Sequence, residues 1–297
     1  MEIRPNYYDE FKCIADKCKH NCCIGWEIGI DDPTIQKYEK LSGPLAEKLK
    51  NNISLEPYAH FVLSHNERCP FLNENNLCEL ILVGGEDMLC QICSDHPRFY
   101  NYVYDITEKG LGISCEAAAK IILEKGEPFK LISSNGKLPQ NDFYKYRNKI
   151  FSILQNREKP LAERIDEVLK KAEITVPTSE IDWVNIYREL ERLDEVWDKL
   201  LNRIDIITEE IPEHLETPCE QLLCYFIYRH LSVALDDFMF SERIQFSVLS
   251  LYIILSICKG SSFEAFLEVS RMYSAEIEYS DENIDILLEK LQEYNEK

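Results

Sequence analysis

Nine of the twelve cysteines fall within the first 115 residues, and they come in tight groups. Cys13, Cys18, Cys22 and Cys23 open the ladder, Cys69 and Cys78 follow, then Cys90 and Cys93, and Cys115 closes it. The opening run, C-x4-C-x3-C-C, is too dense for chance placement of small apolar side chains. Clustered thiolates suit a zinc ion or an iron–sulfur cluster, because either needs several soft ligands to converge. A chain like this must therefore fold so that distant loops meet around bound inorganic atoms.

The spacing leaves the metal open. Cys22 and Cys23 are adjacent, and neighbouring side chains tend to point apart, so the two are expected to serve different sites or different atoms of one cluster. Zinc knuckles usually present two C-x2-C pairs, and here only Cys90 and Cys93 have that spacing. An irregular ladder fits an iron–sulfur cluster at least as well. Cys115 lies at the first turn of an expected helix, where the positive end of the dipole favours a thiolate. Cys219, Cys224 and Cys258 sit in apolar helical segments and read as core.

A chain of 297 residues allows one large domain or two ordinary ones, and 45% hydrophobic with 29% charged residues is ordinary for a soluble globular protein. The opening MEIRPNYYDEF has no apolar core of a secretory signal. The most apolar stretch, Phe246–Cys258, is interrupted by Ser247, Ser250 and Ser256 and reads as too short to span a bilayer. A cytoplasmic setting is expected, with thiols kept reduced, and that turns the clustered cysteines toward metal rather than disulfides. The net charge of −20 is shared between the two halves of the chain. It repels phosphate backbones, which argues against a nucleic-acid partner, and it tolerates a lysine-bearing substrate; it also serves solubility.

The chain changes character near residue 130. Before that point lie the clustered cysteines, eight of the ten glycines and short aromatic or β-branched runs. After it, helical periodicity dominates. The expected fold is mainly α: a small Cys-rich metal- or cluster-binding part with short β-hairpins over residues 1–130, a linker at 131–140, and an all-helical domain over 141–297. In the first part, Asp32-Pro33 suggests the start of a helix through about Leu41. CPFL and LCEL, separated by Asn-Glu-Asn-Asn, suggest a hairpin or a pair of ligand-bearing knuckles. Phe99–Tyr104 alternates as a strand with Tyr100, Tyr102 and Tyr104 on one face, followed by a partner strand at Gly110–Ile113 and a helix capped by Ser114. Helices are expected near 141–155, 160–173, 179–204, 216–237, 241–259, 262–274 and 281–295. In the third of these, Leu190, Leu193, Val196, Trp197, Leu200 and Leu201 mark one buried face.

The first 125 or so residues resemble the flagellin lysine N-methylase family. The resemblance lies in Phe11-x-Cys13, Cys18-x3-Cys22-Cys23-x-Gly25-Trp26-x-Ile28-x-Ile30-Asp31 and Tyr38. It continues in Cys69-Pro70-Phe71-Leu72, Leu77-Cys78-Glu79-Leu80, Cys93-x2-His96-Pro97-Arg98 and Ser114-Cys115. It implies transfer of a methyl group from S-adenosylmethionine to lysine side chains of flagellin or another lysine-bearing protein. It also implies a cysteine-bound iron–sulfur cluster, of the 4Fe-4S type or with zinc as the alternative. The ligands it implies are Cys13, Cys18, Cys22, Cys23, Cys69, Cys78, Cys93 and Cys115. Cys90 stands where the family usually has a small polar residue and is set aside; His96 stands in place of an aromatic, and Glu116-Ala117 replaces the usual Pro-Glu. A non-catalytic zinc- or iron-chelating adaptor is the alternative function.

Methylating an amine from a sulfonium donor is a displacement that needs in-line placement, exclusion of water and a neutral lysine, but no metal. A cluster is then either a structural staple or, with one iron free of protein ligands, an anchor for the donor. Eight thiolates divide evenly into two closed four-ligand sites, which favours the staple. The radical-type motif C-x3-C-x2-C begins at Cys18 and Cys22, but Gly25 stands where its last cysteine belongs. No dinucleotide-type glycine loop is present; Gly110-Leu-Gly112 lacks the third glycine. Candidate donor contacts are Trp26, Arg98 for the donor carboxylate, and Tyr100 and Tyr102, which equally suit a half-buried sheet face. No catalytic residue stands out; His20, beside Cys18 and Cys22, is placed to ligate but reads as a solvated loop histidine, and His60, His65, His214 and His230 have no convincing partners along the chain.

Overall fold

A computed structural model describes residues 1–297, and the chain packs as two units, Met1–Phe11 together with Phe99–Lys297, and Lys12–Arg98. The first strand, β1 (Glu2–Pro5), belongs to the larger unit, after which the chain enters the cysteine-rich one. There Asp31, not Asp32, caps α1 (Asp32–Tyr38), its carboxylate accepting the Thr34 amide at 2.9 Å. Pro33 suits the first turn because the amide it lacks has no helical partner there. The rest of this unit's regular structure is α2 (Pro44–Asn51), a short antiparallel pairing of β2 (Ile53–Ser54) with β3 (His60–Phe61), α3 (Glu79–Gly84) and α4 (Gln91–Asp95). Its core is small: nine residues from Ile28 to Met88 are buried together with Cys69 and Cys90. A unit with so little apolar mass and so much loop gains most from cross-links.

In the larger unit, β4 (Arg98–Val103) and β5 (Ile106–Leu111) are followed by α5 (Glu116–Leu123) and β6 (Leu131–Ser133). The sheet order is β4-β5-β1-β6, with β1 parallel to β5 and antiparallel to β6. The expected partner strand at 110–113 thus begins earlier, and Tyr104 lies in the turn, at a φ of 57°. The larger unit also takes in residues 99–130, and the expected linker holds β6, so packing changes at residues 11/12 and 98/99 rather than near 130. Gly110 is dictated by packing: a Cβ there would stand 2.1 Å from the Phe99 ring. On the same strand Glu108 is fully buried and bidentate with the fully buried Arg147, whose guanidinium sits among the rings of Phe143, Tyr144 and Tyr228.

From Asp142 onward the chain is helical: α6 (Asp142–Leu154), α7 (Leu161–Ala172), α8 (Trp183–Glu189), α9 (Glu195–Leu201), α10 (Glu216–His230), α11 (Ala234–Asp237), α12 (Phe240–Cys258), α13 (Phe263–Tyr273) and α14 (Asp281–Asn295). A π-helical turn, Ser274–Glu278, joins the last two. The mainly α class expected from the sequence holds. α12 is apolar on all sides and forms the centre of the core, packed by α10, α13 and α14. By length and composition it reaches the size needed to cross a membrane, more than the serine-interrupted stretch suggested, yet 89% of its most apolar window is buried within the protein. Ser247, Ser250 and Ser256 each donate to the carbonyl four residues back, at 2.6–2.8 Å, so their hydroxyls are satisfied inside the core. Cys219, Cys224 and Cys258 are buried in this core, as expected.

The helix expected over 179–204 is broken into α8 and α9. Buried side chains from far along the chain capture the intervening amides: the Glu276 carboxylate accepts from Leu193 and Asp194 at 2.8 and 2.9 Å, and Asn283 Oδ1 accepts from Glu191. These bonds pull the backbone out of the helix and turn Leu193 and Val196 outward, 62% and 43% exposed, while Leu190, Trp197, Leu200 and Leu201 stay buried.

Candidate functional site

Loop crossings in the cysteine-rich unit gather six of the nine N-terminal cysteines. The Cys69 amide donates to the Cys23 carbonyl at 2.8 Å, and Ile24 bridges Arg68, so two segments distant along the chain are stitched beside each other. Cys69 and Cys78 flank a knuckle closed by the Leu72–Cys78 bridge, in which Asn73 Oδ1 accepts the amides of Asn75 and Leu77. Cys90 is the N-cap residue of α4, and Cys93 lies one turn on within that helix. His96 ends the helix, its cis bond to Pro97 leading into β4.

Within this set the thiols form two hydrogen-bonded pairs. The Cys23 thiol donates to Cys22, which lowers Cys22 to about 7 against the opposing effect of burial. The same bond, with burial and the charges of Cys22, Cys69 and Cys78, raises Cys23. Cys93 donates to Cys90 in the same way, so Cys90 is lowered and Cys93 raised, and Cys93 also feels Cys23 and Cys69. Burial lifts Cys69 to about 11 and also raises Cys78. All twelve cysteines are free thiols. A set of six soft donors within electrostatic reach of one another matches a thiophilic metal or cluster in kind. As placed, no three His, Cys, Asp or Glu side chains converge on one ion, so the chemistry below is carried through no metal-centred step.

Cys90, set aside from the sequence, is thus fully buried inside the set, and its C-x2-C spacing was the signal for it. Cys13 and Cys18 are held in their own loop: Cys13 Sγ accepts from the Ala15 amide at 3.4 Å and Cys18 Sγ donates to the His20 carbonyl at 3.2 Å. Cys115 belongs to the larger unit, where it, rather than Ser114, is the N-cap residue of α5. The candidate donor contacts divide between the units. Trp26 packs on the small core with its indole N–H donating to the Cys22 carbonyl at 2.6 Å, and Arg98 donates to the Ser94 carbonyl at 3.4 Å. Tyr100 is half-buried on β4 and Tyr102 is 75% exposed.

Beside the thiols lies a cleft of about 790 Å³, lined among others by Asp31, Asp32, Leu55, Tyr58, Ile92 and Asp95. α4 supplies both Ile92 and Asp95 of this cleft and Cys93 of the thiol set. Asp31 is structural: besides capping α1 it accepts the Gln91 amide at 2.7 Å, joining α1 to α4. Burial works to raise its pKa, but the bonds from Gln91 and Thr34 prevail and lower it. A depressed carboxyl contributes stability above the pKa of the unfolded chain and loses it as pH falls below about 4. Asp31→Ala is therefore expected to weaken the unit by about 1–2 kcal/mol at pH 7. Hydrogen exchange at the Thr34 and Gln91 amides reads the effect, and unchanged protection would remove Asp31 from this role.

Sequence reasoning also passed over a buried network in the larger unit. Glu278, at the end of the π-helical turn, accepts from His230 Nε2 at 2.6 Å and Tyr225 at 2.9 Å, with Arg229 Nε at 3.4 Å. His230 showed no partner along the sequence because Glu278 lies 48 residues away.

No protein-family model and no solved structure matches the chain. Curated proteins do. The flagellar biosynthetic protein FliU of Salmonella muenchen is 25% identical over 158 residues, covering 50% of this chain and 94% of that protein. Lysine-N-methylase of Salmonella typhimurium (strain LT2) is 26% identical over 141 residues, covering 43% of this chain and 33% of that protein. Lysine-N-methylase of Salmonella choleraesuis matches to the same extent. The chain thus spans about a third of the length of those methylases, and over that span it is related in sequence to the lysine-N-methylases.

Proposed function

We propose that this protein methylates lysine side chains of a protein substrate, flagellin being the foremost candidate, with S-adenosylmethionine as the methyl donor. The observation that carries this reading is the similarity to two proteins named lysine-N-methylase, supported by the one named as a flagellar biosynthetic protein. In the reaction the neutral lysine nitrogen attacks the sulfonium methyl carbon, the carbon–sulfur bond breaks, and S-adenosylhomocysteine leaves with the electron pair. The new ammonium then releases a proton to solvent. Placement and water exclusion supply the acceleration. Trp26 offers a ring face and Arg98 a guanidinium to the donor's carboxylate. The gathered thiols Cys22, Cys23, Cys69, Cys78, Cys90 and Cys93 are proposed to hold an iron–sulfur cluster, or zinc, that staples a unit with a small core. A cytoplasmic setting keeps those thiols reduced.

The test is incubation of anaerobically purified protein with flagellin and methyl-labelled donor, followed by mass spectrometry of the flagellin peptides. Label on lysine nitrogen is the expected result. Flagellin that gains no methyl mass, with S-adenosylmethionine unbound, overturns the reading in favour of a non-catalytic metal-binding adaptor.

A further inference from the structure

We propose that Cys90 and Cys93 form a reversible oxidation site, a dithiol that hydrogen peroxide closes to a disulfide and a thiol such as glutathione reopens. Two features single out this pair. The first is contact: the Cys93 thiol donates to Cys90, so the two sulfurs already face each other. The second is span. Cys90 is the N-cap residue of α4 and Cys93 follows three residues on in its first turn, which sets their Cα atoms about 5 Å apart. A disulfide ordinarily bridges Cα atoms about 4.4–6.8 Å apart, so this one closes without moving the helix. Cys22 and Cys23 are also in contact, but adjacent residues joined by a trans peptide stand about 3.8 Å apart, short of that range.

Burial gives the two sulfurs different parts. Cys93 is partly exposed and meets a small oxidant first, whereas Cys90 is fully buried. The Cys93 sulfur attacks one peroxide oxygen, the O–O bond breaks, and a sulfenic acid forms as the thiol proton leaves in a first water. The Cys90 sulfur then attacks the Cys93 sulfur, the S–O bond breaks, and the Cys90 proton leaves with the hydroxyl as a second water. Together the thiols lose two electrons and two protons, and the peroxide gains them. Reopening takes two glutathione molecules, which attack in turn and leave as one glutathione disulfide. The backbone stays fixed throughout: the Asp31 carboxylate accepts the Gln91 amide at 2.7 Å, and the Gln91 side chain donates to Asp95 at 2.7 Å. A resolving sulfur already in contact also keeps Cys93 from being carried on to sulfinic acid. The bridge withdraws two of the six gathered sulfurs, so a metal bound through them and the disulfide exclude one another. That consequence, unlike the bridge itself, rests on the metal-binding reading.

The test exposes the full chain to a small molar excess of hydrogen peroxide, both as isolated and after metal chelation, and then blocks the remaining thiols with iodoacetamide. Circular dichroism reports the fold of each sample. Cleavage after glutamate releases residues 87–108, in which Cys90 and Cys93 are the only cysteines. The peptide is expected to be lighter than the dithiol form by two hydrogens and to take up no iodoacetamide. Glutathione added before blocking should restore both alkylation sites. In Cys90→Ser, Cys93 is expected to accumulate sulfinic acid several-fold above wild type, while Cys258→Ser should bridge as wild type does. A peptide that stays fully alkylated in both samples overturns the proposal, as does Cys93 bridged to a cysteine other than Cys90. Equal sulfinic acid in wild type and Cys90→Ser overturns it too. The bridge is read by mass without any methyl transfer, so a chain that bridges here and never methylates flagellin keeps this site and loses the methylase reading. A methylating chain with no bridge does the reverse.

Discussion

Glu278→Gln is expected to lower the unfolding free energy of the larger unit by about 3–5 kcal/mol at pH 7, because it leaves buried donors and a buried cation without their counter-charge. The carboxylate is fully buried and takes bonds from Tyr225 and His230. Arg229, which also donates to the Tyr225 hydroxyl at 2.8 Å and to the Glu278 carbonyl at 3.1 Å, lies between the rings of Phe99 and Tyr279. Burial alone would raise the pKa of Glu278, but Arg229 and His230 overcome it and hold the group at about 2. Its folded value lies below the unfolded one, so its stabilisation is complete above the ordinary carboxyl range and is lost as pH falls from about 4.5 toward 2. Burial also pushes His230 down. The unfolded chain then takes up a proton that the native state refuses once pH drops below about 6.5, and stability falls in that window too. Urea unfolding followed through Trp183 and Trp197, both buried in this unit, measures the difference. The gap between wild type and Glu278→Gln should be widest at pH 7 and shrink by pH 3. A difference below about 1 kcal/mol at neutral pH, the worth of an ordinary neutral hydrogen bond, would show that the network carries no net charge interaction.

The second large effect is expected at the thiol pairs. Replacing Cys90 and Cys93 together by serine should lower the iron or zinc bound per chain by about tenfold or more in anaerobically purified protein, because removing ligands from such a set costs much of the metal affinity. Cys258→Ser, in the core of the other unit, should leave metal content unchanged. Metal analysis with acid-labile sulfide reads both, and iron with sulfide separates a cluster from zinc. Cys90 is the informative position, since family resemblance passes over it while the fold buries it with Cys93. Undiminished metal in the double variant would mean that the gathered thiols serve packing alone.

The parts of this protein that were legible in its sequence are those governed by short-range rules. Helices such as α6, α7 and α14 lie within a few residues of their expected bounds, because apolar side chains at three- and four-residue steps bury one face wherever the helix is placed. The buried cysteines of α10 and α12 follow from the same pattern. Where a side chain from elsewhere intervenes, the local reading fails. Glu276 and Asn283 hold the amides that a helix through residue 193 would have used. β1 joins the sheet of the larger unit across more than a hundred residues, which moves the division between units away from residue 130.

By itself, the sequence determined that this chain is mainly helical, that its N-terminal part is rich in soft ligands, and that part of it is similar to the lysine-N-methylases. Only the tertiary structure decided which thiols meet, that Cys90 is among them, and that an acidic cleft shares their helix. The reason is geometric. Helical order depends on neighbours a turn away, whereas the meeting of Cys23 with Cys69 depends on a backbone bond between loops 46 residues apart, and spacing along the chain does not encode that crossing.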